Sequence, residues 1–272
     1  MKTMIIDNNI ENIRVYDEAG VDRVFIDLEV NGKQNRQGDL NTVISCHSLD
    51  DIKKIKSILN QAELLVRVNP IYRDSATEIM KSIDNGADVI MLPMFKTVNE
   101  VKLFVDYVNK KATTCLLLET SQALARLDCI LEIDGIDEIH IGLNDLHLAM
   151  GLDFMFELMG DGLVEYISHK IKAKNIPFGI GGVARMDEGV LKGNIVIKEH
   201  VRLGSSMVIL SRTFKRDLEI DKTIFKKEIL KLQEVEMEAK KLSHNALEEN
   251  KLLLQKLAED MATTMRKKKQ HV

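Results

Sequence analysis

Two acidic side chains stand at the ends of successive apolar segments near the middle of the chain. Glu119 follows the segment TTCLLL, and Asp145 lies just beyond the segment EIHIGL. A carboxylate at the end of a buried strand is costly unless a cation or a proton compensates for its charge. Strands joined by one helix lie side by side in a parallel barrel, so the two carboxylates are expected to meet at one rim. We predict that they bind a hard divalent ion, Mg2+ or Mn2+, because Zn2+ would favour His or Cys ligands.

Three more charged groups are expected at the same rim. Arg67 lies at the end of the apolar segment ELLVRV, and Asp27 and Glu29 lie near the end of RVFIDLEV. A guanidinium beside the ion would complete a cationic wall for an anionic substrate. The alternative is structural, with Arg67 only pairing with Asp27 or Glu29.

The segment GLNDL is expected to turn from a strand into a helix. The backbone amides around Leu143 and Asn144 would then face the rim and could bind a carboxylate. Together with the ion and Arg67, they would form a site for a 2-oxo acid that becomes an enolate during the reaction. The competing interpretation makes each of the two carboxylates an ordinary helix cap or ion-pair partner.

Eight short apolar segments alternate with longer segments of helical periodicity up to about residue 213, which is the pattern of repeated βα units. Their continuous apolar character is typical of strands that are covered on both faces. The predicted fold class is therefore α/β, a closed (β/α)8 TIM barrel in residues 1–220, with an open doubly wound sheet as the alternative. The predicted strands are residues 3–6, 23–30, 63–68, 88–94, 113–119, 138–143, 177–183 and 206–211.

The remainder, residues 221–272, has a different character. From Asp221 to Gln270 there is no Gly or Pro, and apolar residues recur at helical spacing. This segment is longer than an eighth barrel helix requires, so we predict an extended C-terminal helical arm that packs on a neighbouring subunit of a homo-oligomer. The alternative is an arm that folds back over its own barrel.

Composition limits the possible partners. The absence of Trp, an aromatic content of 4% and a net charge of -4 argue against a nucleic-acid-binding surface. No apolar stretch is long enough for a signal peptide or a membrane span, so no membrane partner is expected. Three cysteines without CxxC spacing favour a reducing compartment. A cytoplasmic location is the resulting prediction.

Four segments, in this order and at these intervals, resemble the HpcH/HpaI aldolase and citrate lyase beta-subunit family: VRV (66–68), GADVIMLPM (86–94), LLLET (116–120) and IGLNDL (141–146). The resemblance covers about residues 3–213. It implies a metal-dependent carbon-carbon lyase on a TIM barrel, acting next to pyruvate, oxaloacetate or an acyl-CoA-derived enolate, with a 2-oxo acid and an aldehyde as substrates.

The resemblance also implies roles for individual residues. Glu119 and Asp145 would be the metal ligands, and Arg67 would stabilise the keto or enolate oxygen. The turn from Gly142 to Asn144 would bind the substrate carboxylate. Members commonly exchange C-terminal helices between subunits, in agreement with the predicted arm.

Two positions depart from the aldolase pattern. The aldolases usually carry D-x-E-H after strand two, with the His and Asp acting in proton transfer, but here Val30 stands where the His is expected. A Gln that normally precedes the metal-binding Glu by two positions is replaced by Leu117. The segment from 26 to 39 looks instead like the citrate lyase pattern, with Lys33 and Arg36 available for an anionic or phosphorylated substrate.

Three histidines are candidates for the missing proton-transfer group. His47, in ISCHS, follows a loop from the end of strand two and is the first choice as base, since its ordinary pKa is near neutral. The competing interpretation is an exposed or capping histidine. His140 could point into the barrel or simply pack there, and His147 could line the rim or simply begin a helix.

Two rival functions remain open on the same residues. The glycine-rich segment FGIGGVAR (178–185) ends strand seven, where barrels often bind phosphate, and with Lys33 and Arg36 it would suit a phosphoenolpyruvate-type phosphotransferase or mutase. The segment could equally mark a close approach of the backbone without a ligand. The altered strand-two motif and the long arm would also be compatible with a non-catalytic barrel that serves as an assembly subunit.

Overall fold

The computed structural model describes residues 1–30, 47–218 and 221–270. Its eight strands are all parallel and form a closed barrel in which each strand pairs with the next along the chain and β8 closes on β1. The closed barrel is confirmed, and the open sheet is excluded. The strands are β1 (Lys2–Ile6), β2 (Arg23–Asp27), β3 (Glu63–Arg67), β4 (Val89–Leu92), β5 (Thr113–Leu118), β6 (Glu138–Ile141), β7 (Phe178–Val183) and β8 (Met207–Leu210).

Helices surround the barrel between the strands. A short 3-10 helix, Arg212–Lys215, follows β8, and two helices come after it. The α-helices are α1 (Ile10–Glu18), α2 (Leu49–Lys56), α3 (Ser75–Asp84), α4 (Val98–Val108), α5 (Ser121–Leu124), α6 (Leu127–Ile130), α7 (Leu143–Ala149), α8 (Glu157–Gly160), α9 (Leu163–Ala173), α10 (Gly193–Leu203), α11 (Lys222–Ala239) and α12 (His244–Gln270).

The strands bury both of their faces, which explains their continuous apolar sequences. Residues on one face pack against the helices in the main core. Residues on the other face fill the barrel lumen, where Met4, Phe25, Leu65, Met91 and Leu117 belong to one buried cluster. The lumen is therefore a packed core over most of its length, and chemistry is confined to its ends.

Seven of the eight strands are shorter than predicted, and in β2 and β4 the backbone turns away before the apolar run ends. β2 stops at Asp27, although the predicted strand reached residue 30. β4 stops at Leu92, and Met94, two residues later, has a φ of 52°, a left-handed conformation that ends the extended chain. Both early exits lie at the carboxyl ends of the strands, where the loops take over.

A buried ion network closes the amino end of the lumen. Arg23, which is 1% exposed, donates from Nη1 and Nη2 to the Glu138 carboxylate at 2.5 and 2.8 Å. Its Nε donates to Glu63 at 2.7 Å, and Lys2 lies 3.5 Å from Glu138. Two cations thus face two carboxylates, and this end of the barrel is compensated without a ligand.

The C-terminal arm is present, and its inner face covers the barrel of the same chain. Leu254, Ala258 and Ala262 of α12 are 0%, 1% and 3% exposed. Asn250 on α12 donates from Nδ2 to the Ile195 carbonyl on α10 at 3.0 Å. The buried face of α12 therefore packs on its own barrel, as the alternative of an arm that folds back predicts. Contact of the arm with a second copy of the chain stays a prediction.

Within the described residues, no helix combines the length and apolarity that crossing a membrane would require.

Candidate active site

Glu119 lies directly after β5, at the carboxyl end of the lumen, and is 3% exposed. Its Oε1 accepts the backbone N–H of Met94 at 3.0 Å. Its side chain packs over Gly142, where an added Cβ would lie 2.8 Å from Glu119 Cβ and 3.0 Å from Oε2. Burial raises the pKa of Glu119 to about 8, and Arg67 lowers it only in part. This carboxylate therefore lacks full compensation of its charge.

Asp145 lies in the first turn of α7, beyond the end of β6, and is partly exposed. Its negative charge raises the pKa of Glu119, so the two carboxylates are close enough to interact. In the described part of the chain, no group of three or more His, Cys, Asp or Glu side chains is arranged to hold a metal. The pair is thus an open, two-ligand arrangement.

Arg67, at the end of β3, is held by Asp27 through two hydrogen bonds. Nε donates to Oδ1 and Nη2 to Oδ2, each at 2.9 Å, and Nη2 lies 3.4 Å from Glu29. Asp27 and Arg67 are opposite each other in the β2–β3 register, and the guanidinium lies 5.5 Å from the centre of the Phe25 ring. Arg67 therefore pairs with Asp27 and Glu29, as the structural alternative predicts. It is also close enough to Glu119 to lower the pKa of that carboxylate.

The GLNDL turn is formed, but one of its amides is already used. Gly142 N–H donates to the Leu118 carbonyl at 2.9 Å, which extends the β5–β6 ladder by one residue. The expectation that this amide would bind substrate is therefore corrected. Leu143 and Asn144 supply the first backbone N–H groups of α7, which have no partner within a helix. The Asn144 side chain is exposed, whereas Leu143 is buried.

His47 lies beside the end of β2, as predicted, but its hydrogen bond opposes the predicted role of base. Asp27 N–H donates to Nδ1 of His47 at 2.8 Å, so the proton of the neutral ring is on Nε2. Burial lowers the pKa of His47 and outweighs the opposite effect of the Asp27 carboxylate. In this tautomer His47 is a hydrogen-bond donor, and acting as a base at Nε2 would require the other tautomer.

The other candidates lie elsewhere. His140 is buried and its Nε2 contacts the Gly181 carbonyl, while Nδ1 of His147 lies 3.2 Å from the Leu143 carbonyl one turn earlier in α7. Lys33 and Arg36 lie outside the described residues. In the glycine-rich segment, an added Cβ at Gly181 would lie 2.7 Å from Leu143 Cδ1. This close packing supports the interpretation of that segment as a backbone approach.

Met94 is a site residue that sequence reasoning missed. Its left-handed backbone directs an N–H to Glu119, and Pro93 just before it is the only local signal of an irregular strand end. Two carboxylates, one of them buried with a raised pKa, form a donor set of hard oxygens. These residues fit a divalent cation such as Mg2+ or Mn2+, whose charge would return Glu119 to its ionised form.

Comparisons with known proteins agree with this fold and indicate its family. A family model described as HpcH/HpaI aldolase/citrate lyase matches residues 6–171. A hydroxypyruvate/pyruvate aldolase from Rhizorhabdus wittichii is 28% identical over 177 residues, which is 52% of this chain and 70% of the relative.

Several solved structures are similar in fold. The HpcH/HpaI aldolase from Desulfitobacterium hafniense has a TM-score of 0.61 at 15% identity, over 77% of this chain and 85% of that one. The citrate synthase SbnG has a TM-score of 0.62 at 18% identity, over 80% and 90% of the two chains. The family description and the curated relative both indicate an aldolase or lyase. The chain belongs to the HpcH/HpaI aldolase/citrate lyase family.

Proposed function

We propose that this protein is a divalent-metal-dependent aldolase or lyase that forms or cleaves a carbon-carbon bond through a pyruvate-like enolate. The observation that carries the proposal is Glu119, a buried carboxylate with a pKa of about 8 beside a second carboxylate, at the catalytic end of a barrel of this family. A buried acid without a full counter-charge is unfavourable for stability alone, and it suits a bound cation.

Glu119 and Asp145 would hold the ion, which would be Mg2+ or Mn2+. When bound, the ion would supply positive charge that stabilises the oxygen of a 2-oxo acid as it becomes an enolate. Met94 N–H fixes one oxygen of Glu119, and Gly142 leaves room for the other. The carboxylate is thus oriented before any ligand arrives.

Arg67 would stabilise the same developing oxygen. Asp27 holds Nε and Nη2 of the guanidinium, which fixes its plane and leaves Nη1 as the donor for a substrate oxygen. The amides of Leu143 and Asn144 would bind the substrate carboxylate. A cation, a guanidinium and these amides would together complement the keto oxygen and the carboxylate of a small 2-oxo acid. The name of the curated relative supports pyruvate or hydroxypyruvate as that acid.

Proton transfer at the carbon next to the keto group would fall to Glu29, with His47 as a donor. Both lie at the end of β2, and Glu29 is within 3.4 Å of Arg67. The neutral Nε2–H of His47 can hold the oxygen of the incoming aldehyde, as a neutral imidazole does in other barrel enzymes. These assignments differ from the sequence expectation because the Nδ1 atom of His47 accepts a backbone amide.

Exchange of the methyl protons of pyruvate in D2O tests the proposal. We expect exchange with Mg2+ or Mn2+ present and none after treatment with EDTA. Exchange that is unaffected by EDTA would contradict the role of the ion. No exchange together with turnover of phosphoenolpyruvate would instead support a phosphotransferase or mutase, and neither activity would support a non-catalytic barrel.

A further inference from the structure

His140 is a buried histidine that the proposed chemistry does not use. Its neighbours on β6, Ile139 and Ile141, pack in the outer core, so His140 faces the lumen by strand alternation. Its Nε2 lies 3.0 Å from the Gly181 carbonyl. Because a carbonyl only accepts, Nε2 carries the proton and Nδ1 is a bare acceptor.

The unused nitrogen makes this histidine costly. Among the described residues, no donor reaches Nδ1 of His140, although that atom is fully buried. A buried acceptor without a partner is unfavourable, and a phenylalanine of similar size would avoid it. The contact that only histidine provides here is the hydrogen bond from Nε2–H to Gly181, so the value of His140 lies in that contact.

Gly181 lies at an irregularity of β7. The register with β8 shifts between Gly179 and Gly182. An added Cβ at Gly179 would lie 2.3 Å from Nδ1 of His140, so the ring is seated directly on that glycine. Gly181 has a φ of 41°, and Leu143 packs against it. The His140 imidazole therefore stabilises the bulge at Gly181, and Leu143, the first residue of α7, packs against that bulge.

This chain of contacts leads to the carboxylate pair. Leu143 begins α7, and Asp145 lies in the first turn of that helix. Gly142, just before the helix, packs against the Glu119 side chain. We propose that His140 is a positioning residue: through Gly181 and Leu143 it fixes the start of α7, and thereby the place of Asp145 opposite Glu119. The inference rests on the proposed function, because it takes these two carboxylates as the ligands of the ion.

The test is the affinity of the full-length, metal-free protein for Mn2+, measured from the electron paramagnetic resonance signal of the free ion. We expect His140→Phe to weaken binding by roughly tenfold or more, as the loss of an outer contact does at other metal sites. His140→Gln should bind closer to wild type, because its amide nitrogen can still donate to Gly181. Hydrogen exchange of the backbone over residues 142–150 should rise in His140→Phe and recover in His140→Gln.

His200→Phe is the matched control. His200 is also buried, at 1% exposure, but it lies on α10 and its Nδ1 contacts Ser205 Oγ at 3.0 Å. Its loss should lower stability and leave the affinity for Mn2+ unchanged. Gly181→Ala perturbs the same turn in a second way, because its Cβ would displace Leu143, and it should also weaken Mn2+ binding. This variant replaces His140→Phe in the test if His140→Phe does not fold.

The outcomes separate this inference from the proposed function. Wild-type affinity in His140→Phe or Gly181→Ala, or equal losses in His140→Phe and His140→Gln, would overturn the positioning role. Equal affinity in wild type and Asp145→Asn would overturn the proposed ligand pair, and this inference with it. Loss in Asp145→Asn together with wild-type affinity in His140→Phe would overturn this inference alone.

Discussion

The two ends of the barrel each bury acidic side chains of the strands, but they treat them differently. At the amino end, Glu138 accepts two hydrogen bonds from Arg23, and Lys2 supplies a second positive charge. At the carboxyl end, Glu119 accepts a backbone N–H from Met94, and burial raises its pKa to about 8. One carboxylate is compensated within the fold, and the other is not.

The difference separates structure from function in one molecule. A buried ion pair with complete partners is consistent with a structural seal, and its disruption should destabilise the barrel. A buried carboxylate that lacks such a partner costs stability and is explained by a ligand that restores the balance. Arg67 does not restore it, because two of its donors are held by Asp27.

Removing the charge at the carboxyl end should have the largest effect on activity. Glu119→Gln should slow the exchange of pyruvate protons by roughly a thousandfold, because the charge that organises the enolate site is lost. Deuterium incorporation followed by nuclear magnetic resonance gives the rate. Exchange within a few-fold of wild type would show that Glu119 has no role in the chemistry.

Removing the charge at the amino end should act on stability. Glu138→Gln leaves Arg23 buried with an incomplete set of partners and should lower the free energy of unfolding by about 3–5 kcal/mol. Urea denaturation provides the measurement, and the exchange rate of the remaining folded protein should be unchanged. A stable variant with lost exchange would reverse the roles that we assign to the two ends.

The pH dependence of stability should reveal the uncompensated carboxylate directly. In the metal-free protein, a pKa raised from 4.5 to about 8 means that folding takes up a proton in this range, so stability should fall as pH rises through it and level off above pH 8. We expect Glu119→Gln to remove a part of this fall on the order of 5 kcal/mol. Mg2+ should oppose the fall in wild type only. Parallel curves for the two proteins would contradict the raised pKa.

The two groups at the end of β2 should differ in their contribution to proton transfer. Glu29→Gln should slow exchange by roughly a hundredfold as expected for a base, whereas His47→Gln should change it by roughly tenfold or less, because the aldehyde that His47 would hold is absent from this assay. The reverse order would restore His47 as the base. Both rates should be compared at saturating Mn2+, so that ion binding does not enter the comparison.

The smallest effect is expected on the outer face of the arm. Leu252 and Leu253 on α12 are 64% and 46% exposed, whereas Leu254 beside them is fully buried on its own barrel. If a second copy covers the outer face, Leu252→Glu with Leu253→Glu should dissociate the oligomer with little change in stability. Sedimentation velocity tests this, with Leu254→Ala as a control that should destabilise the fold. An unchanged sedimentation coefficient would reject the predicted contact.

Much of the architecture could be predicted because it depends on local patterns. Continuous apolar runs identified all eight strands, and the ends of β5 and β6 placed Glu119 and Asp145 at the same rim. The strand ends were less predictable, since the turn at Met94 depends on a backbone conformation that composition does not encode.

Contacts between distant strands were the harder part of the site. Arg23 and Glu138 are 115 residues apart, and only the closure of the barrel brings them together. The tautomer of His47 depends on the backbone amide of Asp27. The position of the His140 ring depends on Gly179, because any side chain there would overlap with the ring. Sequence reasoning gives the residue types for such contacts, but packing decides which atoms meet.

Titration of Mn2+ into the metal-free protein by calorimetry tests the central claim most directly. The wild-type protein and Glu138→Gln should each bind one ion per chain, while Glu119→Gln and Asp145→Asn should show no binding at the same concentrations. Binding that is equal in wild type and Glu119→Gln would contradict the account, because the ion would then be held without the carboxylate that needs it.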